Sequence, residues 1–440
     1  MNVVALKTNS LEQQWMPFTA NRQFKERPRI ITGAKGMYYT SDHGNQIIDG
    51  SAGLFCVAAG HGRREIAEAV NQALLDIDYA PPFQHGHPLS FELSRRIAEL
   101  TPGDLNYVFY GNSGSEAVDT ALKIALAYHK CRGEGQRMRL VGRERAYHGV
   151  NFGGLSVAGL VNNKKAFGLG LPGALHMRHT HLPEHEYVRG QPETGAELAE
   201  DLQRFVDLHG ADSIAAVIVE PIAGSTGTLV PPKGYLNRLR EICDQHHILL
   251  IFDEVICAFG RTGKQFGADS FDVVPDMITM AKALTNGVVP MGAVAINEKV
   301  YSTITEAAPD GAIELFHGYT YSGCPAAAAA GLATRDIFRD EKLVERAEKM
   351  TLKFLDALFS LKDIPVVTNI RGYGMLGTAD LAPLEGTPGK RGGKAVQELY
   401  EAGVMTKLTG DSVLVSPPLI CEAQHIDEIF TKIRSVLSKH

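Results

Sequence analysis

The stretch Ile248-Leu249-Leu250-Ile251-Phe252-Asp253-Glu254, then Phe259-Gly260-Arg261-Thr262-Gly263, then Met277-Ile278-Thr279-Met280-Ala281-Lys282, decides how this chain folds. An apolar run that stops at two carboxylates reads as a strand buried on both faces of a parallel sheet. The glycine-containing loop interrupts the pattern, and a second short apolar run stops at Lys282. In open α/β sheets ligands gather at the carboxyl ends of strands. Asp253 and Lys282 are therefore expected at the same sheet edge. A lysine amine can form a Schiff base with an aldehyde cofactor, and an aspartate can hold a proton on a pyridine nitrogen. That pairing suits pyridoxal 5′-phosphate (PLP). It equally suits an ion pair at two strand ends, and spacing alone does not separate the two.

Working outward, strand and helix patterns alternate from 106 to 296, the mark of a doubly wound, mostly parallel sheet. Ile214-Ala215-Ala216-Val217-Ile218-Val219 reads as a central strand ending at Glu220, at the edge shared by Asp253 and Lys282. Glu220 either orients a site by hydrogen bonding or only ends the strand. Asn106-Tyr107-Val108-Phe109-Tyr110 runs into Gly111-Asn112-Ser113-Gly114-Ser115-Glu116 and a long helix over 117–130. A glycine- and hydroxyl-rich turn at a helix N-terminus is an anion site, because free N–H groups and the helix dipole face the ligand. Ser115 can alternatively be a plain helix cap. No lysine follows, so this is not a nucleotide P-loop.

Further upstream, residues 29–48 alternate like a small antiparallel sheet. Asp49-Gly50-Ser51-Ala52-Gly53-Leu54-Phe55 is a loop whose glycines allow close backbone approach. A helix is expected over 64–75 with Ile66, Ala69, Val70, Ala73 and Leu74 on one face, and another over 89–100. Residues 151–195 read as a long irregular region. Its His176, His179, His181 and His185 match no metal-ligand spacing, so a solvated loop is expected and no metal. Residues 365–440 mix short strands and helices. The expected organisation is an N-terminal arm and small sheet over 1–58 packing with the C-terminal domain, a large domain over 59–325, and a small α+β domain over 326–440.

A net charge of −6 gives no case for nucleic acid or an anionic membrane. No apolar run nears the ~20 residues that span a bilayer, and residues 1–11 lack the pattern of a secretory signal. Six cysteines without paired spacing suggest reduced thiols and a cytoplasmic location.

Asp253-Glu254-Val255 before Gly260-Arg261-Thr262-Gly263, and then Ala281-Lys282-Ala283-Leu284-Thr285-Asn286-Gly287, resembles the class III (ω-) aminotransferases, PLP enzymes of fold type I. The resemblance runs from Trp15 to Pro417-Pro418 and is strongest to ω-amino acid (β-alanine):pyruvate aminotransferases. It implies that Lys282 carries PLP and shuttles the substrate proton, and that Asp253 keeps the ring nitrogen protonated. It further implies that Gly114 and Ser115 hold the phosphate, that Tyr147 and Val255 lie on opposite ring faces, and that Glu220 belongs to the cofactor site. Tyr147 alone would pass for a core tyrosine. Thr320, in His317-Gly318-Tyr319-Thr320-Tyr321-Ser322-Gly323, would reach the phosphate of a neighbouring subunit, making a homodimer the working unit, with a tetramer open. Phe18 and Phe55 are substrate-pocket residues by the same resemblance. Lys407 stands where relatives usually carry a carboxylate-gripping arginine; as a residue it is either that anchor or a solvated loop lysine. The implied reaction moves an amino group from an ω-amino acid or amine to pyruvate. A 4-aminobutyrate-type transaminase, aminomutase, racemase or decarboxylase would share Lys282 and Asp253, and a PLP-binding relative without catalysis is a further reading.

Overall fold

The computed structural model describes residues 11–168 and 170–440. The first ten residues of the expected N-terminal arm lie outside that range.

Three sheets carry the architecture. The first is β1 (Ile31–Lys35), β2 (Tyr38–Ser41) and β3 (Gln46–Asp49), antiparallel to one another, with Val404–Met405 from far along the chain added parallel to β3. The large sheet holds β4 (Tyr107–Gly111), β5 (Arg139–Arg143), β6 (Leu175–Met177), β7 (Ile214–Val219), β8 (Leu249–Asp253), β9 (Met277–Met280) and β10 (Gly292–Ile296), in the order β4-β10-β9-β8-β7-β5-β6. Only β10 runs antiparallel to its neighbours. The third sheet is β11 (Val367–Tyr373), β12 (Leu376–Leu381), β14 (Lys407–Thr409) and β15 (Ser412–Val415), β13 being the Val404–Met405 strand. Its order is β11-β12-β15-β14.

Strand alternation explains why the centre of the large sheet is apolar throughout. Leu249 and Ile251 of β8 join one core with Ala121, Leu122 and Ala125 of the helix α1 (Gly114–Cys131), whereas Leu250 and Phe252 join the opposite core with Leu239 and Ile242 of the helix α2 (Tyr235–His246). Each such side chain contributes on the order of 1.5–3 kcal/mol when fully buried. Helices on both faces leave the strand ends as the place where polar side chains can gather.

Two local expectations are corrected. Residues 151–195 are not a solvated loop. They contain two short helices, Phe152–Val157 and Val161–Phe167, and the edge strand β6, which pairs parallel with β5. His185 is buried, its Nε2 lying 2.9 Å from the Thr194 carbonyl, and His176 Nε2 lies 3.0 Å from the Ala158 carbonyl. In the helix Arg64–Asp76, Ile66 and Ala73 point inward while Leu74 is exposed, since Leu74 falls about 100° round from Ala73.

Candidate active site

β8 and β9 are adjacent and parallel, with Asp253 paired to Thr279, so the carboxylate and the lysine that follows β9 emerge side by side. They line one cavity of ≈ 160 Å³ with Gly114, Ser115, Tyr147, His148, Gly149, Glu220, Val255, Ile256 and Ala281. The sequence-derived set of Lys282, Asp253, Gly114, Ser115, Tyr147, Glu220 and Val255 is thus brought together in full.

Asp253 is almost closed to water. Its Oδ2 lies 2.8 Å from His148 Nδ1, and its Oδ1 accepts from the Val255 N–H and the Thr279 hydroxyl, each at 3.2 Å. Glu220 orients the loop after β5: its Oε1 accepts from the Tyr147 N–H at 2.9 Å, and its Oε2 from the Gly224 N–H at 3.2 Å. Burial, with Asp253 adding to it, pushes the Glu220 carboxyl up to about 7. The Tyr147 hydroxyl is likewise raised, first by burial and then by Asp253 and Glu220.

Lys282 has a left-handed backbone, φ 49°. That conformation costs about 1–2 kcal/mol for a residue with a Cβ and is tolerated where the surroundings over-determine it. Burial lowers the proton affinity of its amine, against the opposing pull of Cys56, Asp253 and Glu220. A lysine so placed spends more of its time as the neutral nucleophile.

The end of α1 is built to take an anion. Ser113, not Ser115, caps the helix, its hydroxyl accepting from the Glu116 N–H at 3.2 Å. The Gly114 and Ser115 N–H groups have no partner among the described residues. Glycine at 114 keeps this end uncrowded, since an added Cβ would sit 3.1 Å from both Val255 methyl carbons and would push on that side chain. An amine, a carboxylate opposite it and an anion-binding helix end match the aldehyde, ring nitrogen and phosphate of PLP, so the residues present fit that cofactor.

Phe55 arrives by an unusual route. Ala52, Gly53, Leu54 and Phe55 all have positive φ, a single left-handed helical turn closed by Phe55 N–H to Ser51 and Cys56 N–H to Ala52. The turn is tied down by Gly50 N–H to the Met405 carbonyl and by Asn286, which accepts from Ala59 N–H and donates to the Gly60 carbonyl. Its result is a Phe55 ring shared by two amines: Lys282 Nζ lies 5.7 Å and Lys407 Nζ 5.6 Å from the ring centroid. Lys407 is not the solvated loop lysine considered above. It is on β14, half-buried, and donates to the Ser225 carbonyl at 2.9 Å and to the Thr409 hydroxyl at 3.3 Å. Burial, and secondly Lys282, bring it down to about 8.

Thr320 and Phe18 do not join this cavity. Thr320 is exposed, and among the described residues only its carbonyl is engaged, by the Tyr79 hydroxyl at 2.9 Å. Phe18 is 79 % exposed on a separate groove with Lys390, Lys394 and Leu408. His148 was not singled out from the sequence. A histidine beside Tyr147 gives no local sign of a carboxylate 105 positions away.

The family profile described as Aminotransferase class-III matches residues 19–437. The chain belongs to the class III aminotransferases. It is 51 % identical to an omega-aminotransferase of Caulobacter vibrioides over 98 % of both chains, and 46 % identical to a beta-alanine--pyruvate aminotransferase of Pseudomonas aeruginosa, covering 98 % of this chain and 96 % of that one. The fold matches the omega transaminase from Pseudomonas jessenii in complex with PMP with a TM-score of 0.93, at 33 % identity over 99 % of this chain and 98 % of that one. As a class III aminotransferase it is a PLP-dependent transaminase.

Proposed function

We propose that this aminotransferase takes the amino group of an ω-amino acid or a simple primary amine and delivers it to pyruvate, in two half-reactions, leaving alanine and an aldehyde or ketone. The observation that carries the reading is Lys407. Its amine shares the Phe55 ring with that of Lys282 and meets a carbonyl and a hydroxyl but no carboxylate among the described residues. A cation without an acidic partner is suited to the carboxylate of an ω-amino acid or of pyruvate. Relatives named for beta-alanine and omega-amino acid transfer to pyruvate, at 46 % and 45 % identity, support the same substrates.

Lys282 would hold the cofactor, and its amine would move the proton between the substrate Cα and the cofactor's C4′. Asp253, fixed by His148, Thr279 and the Val255 N–H, keeps a proton on the ring nitrogen. PLP, when bound, supplies the carbonyl that carries the amino group and a protonated ring that withdraws electrons. The N-terminus of α1 at Gly114 and Ser115 would take its phosphate, Tyr147 and Val255 would pack against its ring, and Glu220 orients Tyr147 through the backbone. Phe55 lines the substrate side.

The working unit in this reading is a homodimer. Thr320 lies amid exposed Phe83, Phe91, Phe316 and Tyr321, an apolar surface suited to a second copy. Across such an interface Thr320 would reach the partner's phosphate. Among the described residues no helix is long and apolar enough to cross a membrane. The free cysteines fit a cytoplasmic location.

A screen of β-alanine, longer ω-amino acids and arylalkylamines with pyruvate tests the reading, with alanine as the measured product. Alanine from several donors is the expected result. Transfer to 2-oxoglutarate but not to pyruvate would replace it with a 4-aminobutyrate-type activity.

A further inference from the structure

The turn that carries Lys282 is gripped from below by a buried cation. The helix α3 (Pro325–Asp340) passes under this turn at Gly331, where a Cβ would meet Leu93 Cδ2 at 2.8 Å and lie in ordinary contact, 3.6 Å, with the Leu284 carbonyl. One helical turn on, Arg335 Nη2 donates to the Ala283 carbonyl at 2.6 Å. The guanidinium is buried between two rings, its carbon 4.0 Å from the Phe259 centroid and 4.4 Å from the Phe338 centroid. Its Nε and Nη1 have no partner, and no carboxylate pairs with it among the described residues.

A buried charge without a counter-ion is expensive, and a methionine would fill the same space at lower cost. What only a guanidinium provides is a planar group that stacks on two rings while aiming an N–H within its plane. Phe259 belongs to the loop that follows Asp253, and Ala283 follows Lys282 directly. One side chain therefore links the turn that carries Lys282 to the loop that follows Asp253. The neutral clamp on the other side, Asn286, holds only the turn against the loop at Ala59 and Gly60.

We propose that Arg335 is a positioning residue for Lys282: by bracing the Ala283 carbonyl against Phe259 it holds the left-handed backbone that aims the Lys282 amine at the cofactor and the substrate Cα. The inference rests on Lys282 being the cofactor lysine. Misplacing a reacting group by an ångström can slow its reaction by about 10²-fold, so attachment of PLP to Lys282 should be slow when the brace is lost, even where the cofactor still binds.

The test mixes apoenzyme with PLP, quenches with borohydride at timed intervals, and quantifies the Lys282 peptide bearing cofactor mass. Arg335→Met is expected to bind PLP with near-normal affinity while attachment slows on the order of 10–100-fold. Arg335→Lys, which keeps a charge and one donor but not the plane, should fall between. Thr334→Ala, which removes a hydrogen bond to Ala330 within α3, controls for simple loss of stability and should attach normally. If Arg335→Met does not fold, Arg335→Lys is read alone and must still be several-fold slow. Attachment at the wild-type rate in a folded Arg335 variant overturns the proposal, whatever the melting temperature does. Wild-type enzyme that never carries cofactor on Lys282 overturns the proposed lysine as well.

Discussion

His148 Nδ1 and Asp253 Oδ2 are 2.8 Å apart, with the imidazole fully buried. An ionised Asp253 makes that nitrogen the donor, and a charge-assisted bond in a dry site is worth about 1.5–3 kcal/mol. His148→Phe keeps the ring's bulk and removes the bond. Turnover should fall by roughly 10–100-fold while cofactor stoichiometry holds. The check is kcat beside the PLP content of the purified variant; full turnover would show that Val255 and Thr279 suffice to hold Asp253.

Lys407 should make donor preference depend on pH. Burial and Lys282 bring its amine to about 8, so it is charged below that pH and neutral above it. The kcat/KM ratio of β-alanine over an arylalkylamine without a carboxylate should be greatest below pH 8 and decline as pH rises through it. Lys407→Arg, which stays charged, should keep the ratio high to alkaline pH. Lys407→Ala should raise KM for β-alanine and pyruvate by roughly tenfold or more and spare the amine without a carboxylate. An unchanged KM for pyruvate in Lys407→Ala would exclude Lys407 as the carboxylate anchor.

The left-handed turn at 52–55 should be sensitive at its one glycine. Gly53 has φ 52°, and a Cβ there would lie 2.6 Å from the Tyr39 hydroxyl. Gly53→Ala should lose about 1–2 kcal/mol from backbone strain, with more if Tyr39 is displaced. Denaturant unfolding measures the loss, and KM for the amine donor reports whether Phe55 has moved.

A shared site can be detected in mixed dimers. Combining a Lys282→Ala chain with a Thr320→Ala chain should place both lesions in one composite site and leave the other intact, with normal PLP affinity. A cofactor-affinity defect at the Lys282 of the Thr320→Ala chain itself would mean that the contact is made within one chain.

What was legible in the sequence follows from how local each signal is. Asp253 and Lys282 each close a short apolar run, so strand direction alone sent them to one edge. Gly114 and Ser115 sit at a strand-to-helix turn that any reader of glycine and serine would mark. β6 escaped because three residues among glycine and histidine carry no period. Leu74 was expected inward on helical spacing, but the buried stripe follows Ile66 and Ala73 and leaves it in solvent. The left-handed turn was half-visible: glycine implied close approach, yet Ala52, Leu54 and Phe55 take the same conformation, between Gly50 and Ala59-Gly60, which distant segments hold by hydrogen bonds. His148 and Arg335 could not be found at all, since their partners lie 105 and 52 positions away and exist only once the sheet is assembled.

The central claim is that Lys282 is the residue through which this aminotransferase holds PLP. Borohydride reduction of the purified holoenzyme, followed by digestion and peptide mass analysis, tests it directly. The expected result is cofactor mass on the peptide containing Ala281-Lys282-Ala283, lost in Lys282→Ala, which should bind PLP only noncovalently. Cofactor mass on another lysine, or on none while the enzyme still turns over, would contradict the account.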